Sequence, residues 1–168
     1  MYLRGAEPGD EEAVARVHVR SWQQGYRGLL PDDYLDQLDH AARAISYTFA
    51  DHNPGRPYTT LAVDGEEICG FATSGPCRDP DMVGAGELYA IYVDPAWWGQ
   101  GVGRRLIEMA RQRLTDQHFS QAVLWVLVGN ERAEQFYRID GWALDGRRRL
   151  EEIHGVQVDE VRYRRSLA

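Results

Sequence analysis

Hydrophobic positions along the chain follow two different periods, and the switches between them mark out helices and strands. A short strand is predicted at Tyr2 to Ala6, ended by Pro8-Gly9. Val14, Val17, His18, Ser21 and Trp22 then recur at helical spacing and define one buried stripe. Asp10 stands at the N-cap position of this helix, with Glu11 and Glu12 favourably placed against its positive end. Pro31, followed by Asp32 and Asp33, opens a short helix through Leu38. A further helix is predicted from Ala41 to Ala50, stopped by Asn53-Pro54-Gly55.

The period then shortens. Thr59 to Val63 and Ile68 to Thr73 are β-rich runs joined by the hairpin signal Asp64-Gly65. Ser74 to Ala85 reads as a loop, and Glu87 to Val93 as a strand stopped by Asp94-Pro95. A glycine-rich turn leads into a helix through about Leu114, with the stripe Val102, Leu106, Met109, Ala110 and Leu114. The nearly continuous apolar run Ala122 to Val128 suits a central strand covered on both faces. Glu131 to Ile139 is helical, with Asn130 at its cap and Gly141 closing it; Phe136 and Ile139 are placed to serve the core. Two last strands, about Trp142 to Glu151 and Val156 to Arg164, meet at a turn around His154-Gly155.

This order predicts an α/β (α+β) fold: a mixed, mostly antiparallel twisted sheet of about six to seven strands with helices on both faces. The 168 residues suit a single domain spanning 1–168. Composition changes the picture little, since hydrophobic residues make up 43% of the chain, near the average for globular proteins. Charge does more. A net charge of −7 argues against a nucleic-acid partner and favours cationic ones such as amines. The basic run Arg147-Arg148-Arg149, flanked by Asp145, Glu151 and Glu152, reads as a solvated strand face. Cys69 and Cys77 are not at metal or redox spacing and are expected to be buried free thiols. The five histidines show no H-E-x-x-H pairing, so no metal is expected. His18, on the buried stripe, is expected to be a hydrogen-bonded core residue. No apolar run approaches the roughly 18 residues that span a bilayer, and the N-terminus lacks a signal-peptide layout. A cytoplasmic protein without a membrane partner is therefore expected.

Two segments carry chemistry. The first is the strand Tyr89-Ala90-Ile91-Tyr92-Val93 running into Trp98-Gly99-Gln100-Gly101-Val102-Gly103-Arg104 and then a helix. A glycine turn feeding a helix N-terminus offers unpartnered N–H groups and a favourable dipole to an anion. The dinucleotide pattern G-x-G-x-x-G fails here, because Arg104 stands three residues after Gly101. No Gly-Lys-Ser/Thr follows, so a Walker loop fails as well. The second segment is Asn130, Ala133, Phe136, Tyr137 and Gly141-Trp142, in which Asn130, Ala133 and Tyr137 share a helix face. Taken alone, Asn130 could be only a cap and Tyr137 only a packed aromatic.

Together the two segments resemble the GNAT acetyltransferases, most strongly between Glu87 and Trp142. That family's pyrophosphate motif, Q/R-x-x-G-x-G/A, maps onto Trp98 to Gly103, with Trp98 in place of the usual Gln or Arg. The resemblance implies acetyl-CoA as donor, held by Ile91, Tyr92, Val93, Trp98, Gly99, Gln100, Gly101, Val102, Gly103, Arg104, Asn130, Ala133 and Phe136. It implies a pantetheine arm paired with main-chain groups of Ile91 to Val93, between two splayed strands, and an oxyanion donor near the Ile91 N–H. It also implies Glu87 as general base, often through water, and Tyr137 as the acid that protonates the departing sulfur. Glu87 lies six residues before Val93, about 20 Å along an extended strand, and could instead be a solvent-facing strand-end carboxylate. Trp22, Tyr26, the Gly28-to-Pro31 turn and Tyr89 are candidates for the wall of the acceptor pocket, or for the core. The expected reaction is direct transfer of acetyl to a primary amine of a small molecule, amino acid or peptide end. A non-catalytic acyl-CoA-binding module is the alternative. Dimers are common in the family, so a homodimer is among the expectations.

Overall fold

The computed structural model describes residues 1–51, 53, 55–153 and 155–168. The proline of the expected helix stop, Pro54, and His154 of the last turn lie outside them. The described residues form seven strands: β1 (Tyr2–Gly5), β2 (Tyr58–Asp64), β3 (Glu67–Pro76), β4 (Gly86–Val93), β5 (Gln121–Leu127), β6 (Ala143–Ile153) and β7 (Val156–Ser166). They join in one sheet of order β1-β2-β3-β4-β5-β7-β6. All neighbours are antiparallel except β4 and β5. The α-helices are α1 (Glu11–Gly25), α2 (Asp32–Asp36), α3 (His40–Ala44), α4 (Val102–Asp116) and α5 (Glu131–Ile139). The mixed, mostly antiparallel sheet and its two helical layers are therefore as expected.

Alternation along the strands assigns the two faces. Ala72 of β3 packs with Leu106 and Ile107 of α4 on one face, while its neighbour Phe71 packs with Val14 and Val17 of α1 on the other. All six of these side chains are at most 2% exposed, so both faces of the central sheet are dry.

Several local expectations give way to tertiary competition. Asp10 occupies the N-cap position, but its carboxylate accepts from both terminal nitrogens of Arg4, at 2.7 and 3.0 Å, and makes no cap hydrogen bond. The expected Ala41–Ala50 helix shrinks to one short helix started by Asp39, which accepts from the Ala41 N–H at 3.0 Å. β3 runs three residues beyond Thr73, since pairing with β4 continues to Pro76. Met109 of the expected α4 stripe and Ile139 of α5 are exposed, and Ile107 takes the core position instead. Cys69 is buried, but Cys77 is only half-buried, and both are free thiols. No helix among the described residues is long and apolar enough to cross a membrane.

Two irregularities position the site. Ala90 pairs with Thr73 and Leu88 with Ser74, so Tyr89 is an extra, bulged residue on β4. The bulge turns Leu88, Ile91 and Val93 all toward α4, although regular alternation would split Leu88 from Ile91. Ala90 and Tyr92 accordingly face α1. The second irregularity is the parallel pair itself. Gly86 pairs with Ala122 and Glu87 with Val123, and among the described residues the ladder goes no further, although both strands continue.

Candidate functional site

A cleft of about 1450 Å³ fills the gap where β4 and β5 part. It passes between the strands, so it is lined from both faces of the sheet. Strand alternation decides which groups reach it. Asp94 donates its N–H to the Cys69 carbonyl of β3 at 2.8 Å. In an antiparallel ladder successive residues turn their main-chain groups to opposite sides. Ile91 and Val93 therefore turn theirs away from β3, into the gap, while Tyr92 turns its own toward β3, opposite Phe71. The expectation of three main-chain partners is corrected to two residues, with Tyr92 contributing its side chain. The Val93 carbonyl is already engaged, accepting from the Trp98 indole Nε1 at 2.8 Å.

At the exit of β4, Asp94 caps a 3-10 turn at Pro95–Trp97 by accepting from the Ala96 N–H. Gly99 and Gly101 then take φ of 74° and 81°, and Gly101 is the N-cap of α4. Those values lie where a side chain would be strained, and the space above both glycines is open to 4 Å. The first turn of α4 thus leaves its N–H groups facing an unobstructed cradle. At Gly103, in the first turn, a side chain would begin 3.4 Å from the Phe136 ring. Trp98, Gly99, Gly101, Val102, Gly103 and Arg104 line the cleft. Gln100 does not: its side chain is exposed and donates back to the Ala96 carbonyl at 3.2 Å, which removes it from the expected set.

α5 closes the same side. Asn130 accepts from the Ala133 N–H at 3.3 Å, so it is a cap, and it lines the cleft as well, with Ala133, Phe136 and Tyr137. Tyr137 is 9% exposed. Burial, with the nearby Tyr92, holds its phenol proton well above the ordinary range for tyrosine. Tyr26 and Tyr92, both lining the cleft, are pushed up for the same reason of burial.

On the α1 face, Trp22, Tyr26 and Tyr92 form a continuous aromatic wall, with ring centroids 5.0 Å apart for Trp22–Tyr26 and 6.1 Å for Trp22–Tyr92. His18 lies behind it, buried and 3.0 Å from the Tyr47 hydroxyl. Of the turn after α1, Tyr26 and Leu30 reach the cleft, and Leu29 abuts Gly129 beyond β5.

Glu87 is not solvent-facing. It is 1% exposed, and its carboxylate accepts from the Arg78 main chain at 3.0 Å and from the Arg78 guanidinium at 2.6 Å. Arg78 in turn lies 4.1 Å over the ring of Tyr89, whose hydroxyl donates to the Pro76 carbonyl. The β3–β4 loop is anchored further out. Asp79 accepts from the Trp125 indole at 2.9 Å and from Arg162 at 3.0 Å, and Arg162, 3% exposed, also bonds Asp81 and Asp145. Cys77, Asp79 and Glu87 bring potential metal ligands within 4.8 Å of one another, but guanidinium groups already serve both carboxylates. The β6–β7 hairpin supplies Arg149, Glu151, Glu152 and Glu160. Arg149 therefore departs from the expected solvated face: it bonds Glu160 at 3.0 Å and stacks 4.1 Å from Trp125.

The cleft gathers every expected site residue except Gln100. Sequence patterning missed Arg78, Trp125, Arg132, Arg149 and Arg162. Arg78 stood in an unpatterned loop, Arg149 and Arg162 looked like ordinary alternating strand residues, and their partners lie far along the chain. Only the motif position of Arg132, between Asn130 and Ala133, offered a signal.

A sheet opened between two parallel strands, with a glycine cradle at one edge, defines a protein with a ligand-sized gap whose edge is open to an anionic group. The sequence pattern of the Acetyltransferase (GNAT) family matches residues 16–142. The chain is 33% identical over 164 residues to the uncharacterized N-acetyltransferase YuaI of Bacillus subtilis, covering 95% of this chain and 89% of that one. It is 27% identical to the probable N-acetyltransferase Rv2775 of Mycobacterium tuberculosis, covering 96% and 91%. Among solved structures, it is similar to PaiA N-acetyltransferase of Thermoplasma acidophilum in complex with coenzyme A (TM-score 0.75, 16% identity, 98% of each chain). An N-acetyltransferase of Staphylococcus aureus Mu50 gives a TM-score of 0.77 at 16% identity, covering 99% and 98%. The chain belongs to the GNAT family and is an acetyltransferase, whose general reaction is acyl-CoA-dependent acetyl transfer.

Proposed function

We propose that this chain moves the acetyl group of acetyl-CoA directly to a primary amine, with Glu87 as general base and Tyr137 as general acid. The observation that carries this reading is their placement in one cleft. Glu87 reaches it from the α1 face of the sheet, and Tyr137 from α5 on the opposite face. The residues fit the cofactor, since the cradle at Gly99 and Gly101 is open and the main-chain groups of Ile91 and Val93 face the gap. Bound acetyl-CoA supplies the thioester. The Ile91 N–H is placed to donate to the carbonyl oxygen, where such a donor has its largest effect.

An amine enters as an ammonium and must lose a proton before attack. The Arg78 pair occupies Glu87 oxygens directly, so Glu87 receives that proton through water, with Arg78 fixing its orientation. Like any tyrosine, Tyr137 carries its proton at neutral pH, and burial raises its affinity for that proton further, so the phenol is available to a departing thiolate. Asp79, Glu87, Glu151, Glu152 and Glu160 line the cleft and are matched in number by Arg43, Arg78, Arg104, Arg132 and Arg149, so a cationic acceptor is favoured only locally, beside the carboxylates of the β6–β7 hairpin. Family membership and the activities in the relatives' names favour turnover over a binding-only role.

Thiol release measured over a broad panel of amines tests the reading. Tyr137→Phe and Glu87→Gln are each expected to lower kcat about 10²-fold or more, with binding of acetyl-CoA retained. Full activity in both variants overturns the assignment.

A further inference from the structure

One position in the cradle breaks the family pattern: Trp98 stands where a Gln or Arg is usual. Its indole cannot offer a charge. The ring is instead fixed in place, with Nε1 donating to the Val93 carbonyl and the far edge 3.9 Å from where a Gly25 side chain would begin. On that ring lies Arg132, its guanidinium carbon 3.6 Å from the centroid, closer than any purely incidental approach requires.

Arg132 is in an unfavourable place for a cation. It is the second residue of α5, where the helix dipole repels positive charge. Its side chain is exposed beside the cradle, yet the packing around it still pulls its proton affinity down. No carboxylate among the described residues pairs with it, whereas Arg104, the other arginine at this end of the cleft, bonds Glu108 at 3.0 Å. A cation at a helix N-terminus without a counter-charge is unfavourably placed, and one held on an aromatic face at the rim of a cleft is free to pair with an anion there. Gly99 and Gly101, whose open cradle suits phosphate oxygens, line the same cleft.

We propose that Arg132, laid on the Trp98 indole, is the cationic ligand of the cofactor's phosphate groups, and that Trp98 is the platform that holds it there. The polar side-chain contact that a Gln or Arg would make at the first position of the loop is thus delivered from the next helix. Trp98 acts through Arg132 and is a positioning residue. The inference rests on acetyl-CoA as donor and concerns its phosphate end only.

The test is calorimetric binding to the full chain of acetyl-CoA and of acetyl-pantetheine, which lacks every phosphate. Arg132→Met is expected to raise Kd for acetyl-CoA roughly 10- to 100-fold, as loss of a charge-assisted hydrogen bond does, and to leave acetyl-pantetheine unchanged. Arg132→Lys, which keeps the charge but not the flat stacking surface, should fall between. Trp98→Leu should weaken acetyl-CoA about 3- to 5-fold with the same selectivity. Acetyl-3′-dephospho-CoA separates the two phosphate sources. A persistent Arg132→Met defect assigns the diphosphate, and a lost one assigns the 3′-phosphate. Equal losses for both acetyl donors, or no loss for either, overturn the proposal. If the wild-type chain binds neither donor, the reading of acetyl-CoA as donor falls with it.

Discussion

The two faces of the sheet meet in one cleft but build their halves of it by opposite means. On the α4–α5 face the site is mainly backbone: two glycines at positive φ, the first turn of α4, and the main-chain edge of Ile91 and Val93 that faces away from β3. On the α1 and hairpin face it is almost entirely side chains, with buried Glu87 paired to Arg78 and, beside it, buried Arg162 paired to Asp79, Asp81 and Asp145. A backbone site is indifferent to most side-chain identities and sensitive only where a conformation is special. A buried ionic network is the reverse, because removing any member leaves its partners charged and dry. The first suits a ligand shared by a whole family. The second suits an acceptor that differs among members.

The sharpest way to break this contrast is Arg162→Met. It leaves Asp79, Asp81 and Asp145 without their shared cation, and a loss of about 3–5 kcal/mol is expected in chemical denaturation. A change below 1 kcal/mol would show that the network contributes little. Next comes pH. Tyr26, Tyr92 and Tyr137 have folded pKa values above the ordinary 10.0, through burial. Above about pH 10 the unfolded chain releases these protons first, so stability should fall as pH rises past that point. Tyr137→Phe should soften the fall, and an unchanged alkaline slope would contradict it. On the backbone side, Gly101→Val strains φ of 81° by about 1–2 kcal/mol and should weaken acetyl-CoA about 10-fold, read by titration. The smallest effect belongs to Gln100→Ala, expected within about 0.5 kcal/mol in stability and without effect on acetyl-CoA affinity.

The glycine loop, the Asn130–Trp142 segment and the order of elements were legible because each depends on residues close in sequence. Periodicity reports local geometry, and a helix stripe or hairpin turn is specified within a dozen residues. The failures share the opposite character. Asp10 was claimed by Arg4, and Arg149 by Glu160 and Trp125. The exposure of Met109 and Ile139 depends on which neighbours reach a helix face, which periodicity does not encode.

By itself the sequence determined the family, the fold and the location of the glycine cradle, since glycine at positive φ and a helix N-terminus are written in local residue order. Only the tertiary structure decided that β4 and β5 part after Glu87, that the Tyr89 bulge turns Leu88 and Ile91 to one face, and that Glu87 is buried against Arg78. It also moved the meaning of Trp98 from a missing polar contact to a platform under Arg132. Each of these depends on strand pairing or on contact between residues distant along the chain, and such contacts are set by packing rather than by neighbouring residues.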